Sequence, residues 1–318
     1  MYDKIILVTG GAGFIGSHYL NMMVPRYPHY RFVNVDLLTY AANPANISVA
    51  DAPNYLFVKA DICDRDAMAQ LFQQHAPTHV LHFAAESHVD NSIERPQAFI
   101  ETNIVGTQIL LDLARVYGVQ RFHQVSTDEV YGSIAEWVPP VSEEAPLLPN
   151  SPYSASKASG DLLVRAYHKT FGLNTVLTRA SNNYGPHQHT EKLIPRFITT
   201  LLSGKNVPLY GDGRNVRDWI YVGDHVEGID HVFHKGKAGE IYNLGGNNEM
   251  SNVEITNVLL RMGGYGEDRI ERVADRLGHD FRYSIDSSKA KKELGWQPKM
   301  DFTKGLQTTW EYYVSVTR

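Results

Sequence analysis

Three residues with reactive side chains, Thr127, Asp128 and Glu129, stand next to one another after an apolar segment. Two neighbouring carboxyl groups can act as acid and base when their environments separate their pKa values. One of the two carboxyl groups could then donate a proton while the other abstracts one. The triplet is therefore a candidate acid–base site, with a solvated loop as the alternative.

A tyrosine and a lysine four residues apart, Tyr153 and Lys157, form a second candidate pair. The spacing places both side chains on one face of a helix predicted at about residues 153–171. A nearby ammonium group stabilises a tyrosinate and lowers the pKa of the tyrosine. We therefore expect Tyr153 to act as a base toward a sugar or alcohol hydroxyl, although this spacing also occurs by chance on helix surfaces.

A glycine-rich loop, TGGAGFIG at residues 9–16, follows the first predicted strand and opens the first predicted helix. Gly11, Gly13 and Gly16 match G-x-G-x-x-G, and Gly10, Gly13 and Gly16 match the related G-x-x-G-x-x-G. Such glycines allow a tight turn in which the backbone approaches a pyrophosphate, and the helix N-terminus offers free N–H groups. The loop predicts a dinucleotide site, and the alternative is a glycine turn without a ligand.

Asp36 is expected to select the dinucleotide. It lies 20 residues past Gly16, at the end of the second predicted strand, where a carboxylate can accept hydrogen bonds from both ribose hydroxyls. The same charge would repel a 2′-phosphate, so NAD is favoured over NADP. Asp61 and Ile62 follow the third predicted strand; they are expected to flank the adenine, or else to be an ordinary polar strand end.

Short apolar segments alternate with segments of helical periodicity over the first 180 residues, and this alternation must position the motifs. Strands are predicted at residues 5–9, 31–36, 55–60, 79–83, 121–126 and 175–178, and helices at about 13–24, 64–75, 102–117 and 153–171. The pattern indicates an α/β fold with a Rossmann-type doubly wound parallel sheet. Such a sheet binds ligands at the carboxyl ends of its strands, which is where the motifs fall.

The pattern changes after Arg179, where turn residues become frequent and the elements become shorter. We predict an NAD-binding domain over residues 1–180, to which the chain returns at about 217–240. A smaller α/β C-terminal region that binds the substrate is predicted over residues 181–318.

Composition excludes several classes of protein. The chain has 318 residues, with 30 Lys and Arg against 35 Asp and Glu, and its net charge of −5 argues against a nucleic-acid partner. Cys63 is the single cysteine, so an intrachain disulfide and a zinc site with several cysteines are excluded. No apolar run approaches the ~20 residues that span a bilayer, and the N-terminal apolar run is too short for a signal peptide. We expect a cytoplasmic protein with no metal and no membrane segment.

Together, these motifs resemble the extended short-chain dehydrogenase/reductase family and, within it, the nucleotide-sugar 4,6-dehydratases. The resemblance covers the chain from Ile5 to about Trp296 and is carried by VTGGAGFIGS, HFAAESHVD, STDEVYG, YSASK, NNYGP, EKLIP, RDWIYVGDH, YNLGG and GHD. Epimerases share the general dehydrogenase motifs, whereas they usually lack the Asp-Glu pair at 128–129. The triplet is therefore the specific signal for dehydration.

The resemblance implies a lyase reaction in which NAD is recycled. Tyr153 takes the proton of the glucose 4-hydroxyl while the C4 hydride passes to NAD, and Thr127 holds the C4 oxygen. Glu129 then removes the C5 proton, and Asp128 protonates the departing 6-hydroxyl, which leaves as water. The hydride returns to C6 and a proton returns to C5. The product is a nucleotide-linked 4-keto-6-deoxyglucose.

The resemblance also implies two sets of ligand contacts. The NAD contacts are Gly10, Gly13, Phe14, Ile15, Gly16, Asp36, Asp61, Ile62, Ala84, Ala85, Ser87, Thr102, Tyr153 and Lys157. The nucleotide-sugar contacts are Ser87, Thr127, Asn182, Lys192, Leu193, Pro208, Tyr210, Arg217, Asn252, Arg276 and His279. Arg217 and Arg276 are expected to clamp a diphosphate, since a guanidinium group binds phosphate oxygens bidentately.

The substrate implied first is dTDP-glucose, with UDP-glucose or UDP-N-acetylglucosamine as alternatives and a nucleotide-sugar 4-epimerase as a more distant one. A regulator that senses NAD without catalysis is the non-enzymatic alternative, against which the complete set of reactive residues argues. The resemblance also implies a homodimer, in which the helices at about 102–117 and 153–171 pair with their twins in a four-helix bundle. The apolar contacts of this bundle are expected from Leu111, Val116, Leu162, Leu163 and Val164.

Overall fold

The chain forms twelve strands and eleven α-helices within residues 2–275 and 278–317, which the computed structural model describes. The strands are β1 (Lys4–Thr9), β2 (Tyr30–Asp36), β3 (Tyr55–Lys59), β4 (His79–His82), β5 (Arg121–Thr127), β6 (Thr175–Ala180), β7 (Asn182–Tyr184), β8 (Val207–Tyr210), β9 (Val216–Tyr221), β10 (Ile241–Leu244), β11 (Glu249–Ser251) and β12 (Ile270–Val273). The helices are α1 (Phe14–Arg26), α2 (Arg65–His75), α3 (Val89–Glu94), α4 (Pro96–Ile100), α5 (Thr107–Val116), α6 (Pro152–Phe171), α7 (Leu193–Leu202), α8 (Val222–Lys235), α9 (Asn252–Gly263), α10 (Ser288–Leu294) and α11 (Phe302–Thr317).

Seven parallel strands form the central sheet, in the order β10-β6-β5-β4-β1-β2-β3. The chain builds outward from β1 through β2 to β3 and then crosses to β4 on the other side of β1. A cleft opens at the carboxyl ends of the strands where the order reverses, which is where such sheets bind ligands. The predicted α/β class with a Rossmann-type doubly wound sheet is therefore confirmed.

Apolar layers cover both faces of this sheet, which explains why β1 contains a continuous apolar run, IILV, rather than an alternating pattern. One layer contains Met23 of α1 and Phe233 of α8, and the other contains Phe72 of α2, Leu110 of α5 and Val164 of α6. Helices α1, α5 and α6 are thereby fixed on the sheet, and with them the glycine loop and the Tyr153–Lys157 pair.

The helix predicted at about 102–117 begins differently from the expectation. A π-helical turn spans Glu101–Gly106, and α5 follows from Thr107. The wider turn directs the Asn103 side chain inward, where its oxygen accepts from Glu86 N at 2.9 Å and its nitrogen donates to Ser156 Oγ at 2.9 Å. The segment that follows β4 is thereby joined to α6 beside the cleft.

A second apolar cluster lies outside the central sheet and gathers residues from α7, α9 and α11, among them Phe197, Leu259 and Trp310. It is accompanied by a three-stranded sheet, β11-β9-β7, and a β12-β8 pair. Helix α8 packs against α1 and α10.

The division into domains stays a prediction, and we propose that residues 1–180 bind the dinucleotide and residues 181–318 bind the substrate.

Two of the five apolar residues expected at a subunit contact are buried within the chain instead. Leu111 and Val164 lie in the core between α5, α6 and the sheet, because both face inward on their helices. Val116 and Leu162 are 65% and 55% exposed.

Within residues 2–275 and 278–317, no helix combines the length and the apolar character that crossing a membrane requires.

Candidate active site

One cleft at the carboxyl ends of the strands brings together every residue predicted to catalyse the reaction or to contact the dinucleotide. It is lined by the glycine loop, by the ends of β2, β3, β4 and β5, and by α6. The predicted residues that line it are Gly10, Gly13, Phe14, Ile15, Gly16, Asp36, Asp61, Ile62, Ala84, Ala85, Ser87, Thr102, Thr127, Asp128, Glu129, Tyr153, Lys157, Asn182 and Lys192.

The glycine loop has no room for side chains. Gly10 has φ +72°, and a Cβ atom there would stand 2.5 Å from Ala84 N. A Cβ atom on Gly16 would stand 2.4 Å from Gly10 O. Helix α1 begins after Gly13, and no side chain caps its N-terminus, so the first N–H groups face the loop. The loop fits a pyrophosphate group, because it offers backbone donors at a surface that no side chain obstructs.

Asp36 is held at the end of β2 by two backbone donors. Its Oδ2 accepts from Ala12 N at 2.9 Å and its Oδ1 accepts from Leu38 N at 2.8 Å. Each carboxylate oxygen has further lone pairs, so the group can still accept from the hydroxyls of a ribose. This placement, in the wall of the cleft beside the glycine loop, is the one that NAD requires.

Helix α6 carries Tyr153 and Lys157 into the cleft. It begins with a capping box between Ser151 and Ser154, which fixes the direction of its first turn. The Lys157 ammonium donates to Val125 O at 2.9 Å. Burial lowers the pKa of Lys157 to about 8, and the charge of Asp161 opposes that shift.

The pKa of Tyr153 is raised in the structure described here, so the lysine alone does not set it. Burial is the largest cause and raises the pKa of Tyr153 above its usual value, and the charge of Glu129 raises it further. The hydroxyl of Thr127 acts in the opposite direction. Tyr153 is therefore a neutral phenol in this structure.

The triplet stands where β5 ends and a short 3-10 helix, Asp128–Tyr131, begins. The Thr127 hydroxyl accepts from Glu129 N at 3.2 Å and donates to Asp128 Oδ1 at 3.3 Å. Asp128 is 2% exposed, and its Oδ2 has no hydrogen-bond partner. Burial, then the charges of Glu129 and Asp218, raise the pKa of Asp128 well above its usual range. Asp128 is thus suited to hold a proton that it can donate.

Glu129 is partly exposed and lies beside a second tyrosine. Tyr283 Oη is 3.5 Å from Glu129 Oε2 and donates to Asp280 Oδ2 at 2.6 Å. Tyr283 belongs to the C-terminal part of the chain, which therefore contributes to the acid–base site. Across the cleft, Lys192 Nζ donates to Ser87 O at 2.8 Å and joins the start of α7 to the segment after β4.

Six of the predicted nucleotide contacts lie outside the lining of this cleft: Leu193, Pro208, Tyr210, Arg217, Asn252 and His279. The Arg217 guanidinium donates to the carbonyl oxygens of Val216 at 2.7 Å and Asp280 at 3.0 Å, and it lies over the Tyr283 ring at 4.4 Å. His279 Nδ1 is 2.6 Å from Asp275 Oδ1. Arg276 lies outside the described residues. Of the two arginines of the predicted diphosphate clamp, the structure thus describes Arg217 alone, and it lies outside the cleft lining.

Sequence reasoning missed several residues that line the cleft: Leu37, Thr39, Ala41, Ala42, Glu86, Ser126, Ser181, Asn183, Gln188, His189, Glu191 and His225. Position next to a recognised motif could have indicated Glu86 and Glu191, which adjoin Ala85 and Lys192. His225 is fully buried with its Nδ1 2.8 Å from Asn183 Oδ1, and burial lowers its pKa to about 3. No local pattern in the sequence indicated His225, because it lies on α8, far in sequence from the motifs of the cleft.

Among the described residues, no group of His, Cys, Asp and Glu is arranged to hold a metal ion.

Comparison with known proteins identifies the family to which the chain belongs. The chain belongs to the GDP-mannose 4,6 dehydratase family, whose model matches residues 7–309. It is 49% identical to a dTDP-glucose 4,6-dehydratase of Actinoplanes sp., over 97% of both proteins.

Solved structures with this fold also include a 4,6-dehydratase. The chain resembles the dTDP-glucose 4,6-dehydratase DesIV of Streptomyces venezuelae, solved with NAD bound, with a TM-score of 0.94 and 49% identity over 98% of this chain and 97% of that one. It also resembles a UDP-glucose 4-epimerase of Thermotoga maritima, with a TM-score of 0.92 and 32% identity over 99% and 100% of the two chains. Dehydratases and epimerases thus share the fold, and the identity is higher to the dehydratase.

Proposed function

We propose that the chain is an NAD-dependent hydro-lyase that converts dTDP-glucose to the 4-keto-6-deoxy sugar. The observation that carries the proposal is the buried Asp128 next to the partly exposed Glu129, in the same cleft as Tyr153 and the glycine loop. Removal of water from C5 and C6 needs a proton donor and a proton acceptor, and this pair supplies both.

NAD would be held by the glycine loop through its pyrophosphate and by Asp36 through its adenosine ribose. Asp61 and Ile62 would flank the adenine, and Ala84, Ala85, Ser87 and Thr102 would line the middle of the site. Tyr153 and Lys157 would face the nicotinamide ribose. When bound, NAD supplies an acceptor for the C4 hydride and the donor that returns it to C6.

Tyr153 removes the proton of the sugar 4-hydroxyl in this proposal, and Thr127 donates a hydrogen bond to the C4 oxygen. Lys157 remains charged near the phenol, because its ammonium is held by Val125 O. A positive charge beside Tyr153 favours the tyrosinate over the phenol and offsets part of the effect of burial.

Glu129 removes the C5 proton once C4 is a ketone, since the carbonyl group makes that proton acidic. Asp128 gives its proton to the departing 6-hydroxyl, which leaves as water. The raised pKa of Asp128 suits this role, because a group that must donate a proton at neutral pH has to retain it there.

The sugar and nucleotide would extend from this point toward the C-terminal region. Ser87 and Asn182 line the cleft and would contact the sugar, and Lys192, which also lines it, would contact the nucleotide. Leu193, Pro208, Tyr210, Arg217, Asn252, Arg276 and His279 are proposed nucleotide contacts. For Arg217 to bind a diphosphate, its guanidinium must exchange carbonyl partners for phosphate oxygens, so we infer a local rearrangement when substrate binds.

UDP-glucose and UDP-N-acetylglucosamine dehydration are alternatives that use the same chemistry and differ only in the nucleotide and C2 pockets. A 4-epimerase is favoured by the likeness in fold to the Thermotoga maritima enzyme. The buried Asp128 argues against it, because inversion at C4 needs no acid at C6.

The test is to incubate the purified protein with NAD and, separately, with dTDP-glucose, UDP-glucose and UDP-N-acetylglucosamine. Loss of one water from dTDP-glucose alone, followed by mass spectrometry, is the expected result. Loss of water from a UDP-sugar instead would keep the mechanism and change the substrate. Inversion at C4 without a change of mass would overturn the dehydratase proposal.

We also propose a homodimer and cytoplasmic action, the latter on the evidence of the single cysteine. Helices α5 and α6 pack side by side, and exposed apolar residues lie on both helices and in the π-turn before α5. They are Val105, Val116, Leu162 and Phe171, all more than two fifths exposed. Pairing of these helices with the same helices of a second copy would remove these side chains from water.

A further inference from the structure

Behind the Tyr153–Lys157 pair lies a buried ion pair that the reaction scheme does not use. Arg179 of β6 donates from Nε to Asp161 Oδ2 at 3.0 Å, and the two side chains are 4% and 1% exposed. Arg179 also donates to Tyr131 Oη at 2.9 Å, and Tyr131 donates to Asn243 Oδ1 at 2.8 Å. These contacts fix the guanidinium group and, through it, the carboxylate.

Asp161 stands one helical turn after Lys157 on α6, so both side chains share a face of the helix. The other groups around the lysine offer no negative charge. Val125 of β5 presents a carbonyl oxygen, Tyr153 is a phenol, and His82 of β4 is neutral because burial lowers its pKa to about 3. Asp161 is therefore the carboxylate that supports the charge on Lys157.

We propose that Asp161 and Arg179 are positioning residues, which hold a fixed negative charge behind Lys157 and thereby set the pH range over which the Tyr153–Lys157 pair works. The inference rests on the proposed function, because it assigns the pair a part in proton removal from the sugar. Neither residue lines the cleft, so neither touches the reacting atoms.

The arginine is needed because a lone carboxyl group at this depth would take up a proton. Burial raises the pKa of Asp161, whereas the charges of Arg179 and Lys157 lower it. Without Arg179, the neutral acid would be favoured, and the charge behind Lys157 would be lost. Arg179 thus keeps Asp161 ionised. The Asp161 carboxylate then interacts with Lys157 as well as with the Arg179 guanidinium, which Tyr131 holds in place.

Removal of the negative charge of Asp161 is expected to lower the pKa of both Lys157 and Tyr153. Burial lowers the pKa of Lys157, and Asp161 raises it. Burial, Glu129 and Asp128 raise the pKa of Tyr153 more than Asp161 does, and Asp161 adds to them. Without the charge, Lys157 loses its proton at lower pH, and Tyr153 becomes able to accept a proton at lower pH. Both limits of the pH–activity profile are therefore expected to move in the acid direction.

The test compares the NAD-loaded wild-type enzyme with Asp161→Asn and with the double variant Asp161→Asn/Arg179→Met. The double variant is included because Asp161→Asn leaves a buried arginine without its partner, whereas removal of both partners is often tolerated. In each variant that folds, both pH limits should shift down by about one unit. Arg179→Lys keeps the charge next to Asp161 and should retain the wild-type limits.

A second readout does not depend on activity. The reactivity of Lys157 toward an acylating reagent, followed against pH by mass spectrometry of the peptide, should show its deprotonation at lower pH in the same variants. Glu249→Gln is the matched control, because it breaks the Arg282–Glu249 pair (Nε–Oε2 2.6 Å) without changing the charge beside Lys157.

Unchanged pH limits and an unchanged Lys157 profile in a folded Asp161→Asn or double variant would overturn the proposal, even if stability falls. If neither folds, wild-type limits in Arg179→Lys support it and shifted limits overturn it. A wild-type protein that does not dehydrate any nucleotide sugar would contradict the proposed function, whereas the labelling profile would still report on Asp161.

Discussion

Asp128 and Glu129 are adjacent in the chain, yet the first is enclosed and the second reaches the open cleft and Tyr283. The 3-10 turn produces this difference, because successive residues of a tight helix point in different directions. Burial keeps Asp128 in its acid form, and contact with the cleft gives Glu129 access to a substrate. One short turn therefore supplies two carboxyl groups with different chemical roles.

Replacement of either carboxyl group by its amide should separate oxidation from elimination. In Asp128→Asn and Glu129→Gln, we expect water loss from dTDP-glucose to fall by about 10²–10⁴-fold, the usual contribution of a general acid or base. Absorbance of reduced nicotinamide should still show oxidation at C4. Glu144→Gln, at an exposed loop position, is the control that should keep the wild-type rate. Dehydration at the wild-type rate by either test variant would remove that residue from the mechanism.

The buried acid should also cost stability at neutral pH. A carboxyl group whose pKa is raised by folding stabilises the native state at low pH and loses that contribution as the pH rises. Asp128→Asn should therefore increase the free energy of unfolding at neutral pH by about 1 kcal/mol. The gain should shrink near about pH 3, where the Asp128 carboxyl of the unfolded chain is also largely protonated.

Denaturant unfolding at several pH values measures this difference. Asp51→Asn, at an exposed position, should change the free energy of unfolding little at any pH. A gain for Asp128→Asn that does not vary with pH would contradict the assignment of a raised pKa.

Two glycines with the same backbone angle allow the close packing at the dinucleotide loop to be tested separately from strain. Gly10 (φ +72°) has Ala84 N within 2.5 Å of its Cβ position, whereas Gly204 (φ +74°) has open space there. Alanine at either site adds about 1–2 kcal/mol of backbone strain. Gly10→Ala should, in addition, weaken NAD binding at least tenfold in calorimetric titration, because the loop and β4 must move apart. Equal affinity for NAD in the two variants would argue against the loop as its site.

The proposed dimer gives a prediction about mass in solution. Leu162→Glu should convert a dimer to a monomer in analytical ultracentrifugation, because a buried charge at a symmetric contact is introduced twice. Leu148→Glu is the matched control, since Leu148 is 61% exposed but lies in the loop before α6. A monomeric wild-type protein at micromolar concentration would contradict the dimer itself.

The fold and the dinucleotide cleft could be predicted because their signals are local. Glycines at 10, 13 and 16, an acid at 36 and the spacing of Tyr153 and Lys157 each depend on one turn or one strand end. The predicted helix at about 102–117 was less accurate, because the π-turn at Glu101–Gly106 is stabilised by contacts of Asn103 with residues that are distant in sequence.

Burial and side-chain direction were the quantities that sequence could not supply. Leu111 and Val164 are as apolar as Leu162, and only packing determines that they face inward. The pKa of Tyr153 depends on its depth and on Glu129 more than on the lysine one turn away. Arg217 has the residue type of a phosphate ligand, but its present partners are carbonyl oxygens that only the folded chain brings to it.

The order of the strands has a consequence for how the protein is made. Strand β10 completes the central sheet beside β6, although residues 181–240 separate the two in sequence. During synthesis, β6 must wait with an open edge of unpaired N–H and C=O groups until residues 241–244 leave the ribosome. Such an edge can pair with other chains. A fragment that stops near residue 180 would therefore be prone to aggregate, even though it holds the whole dinucleotide loop.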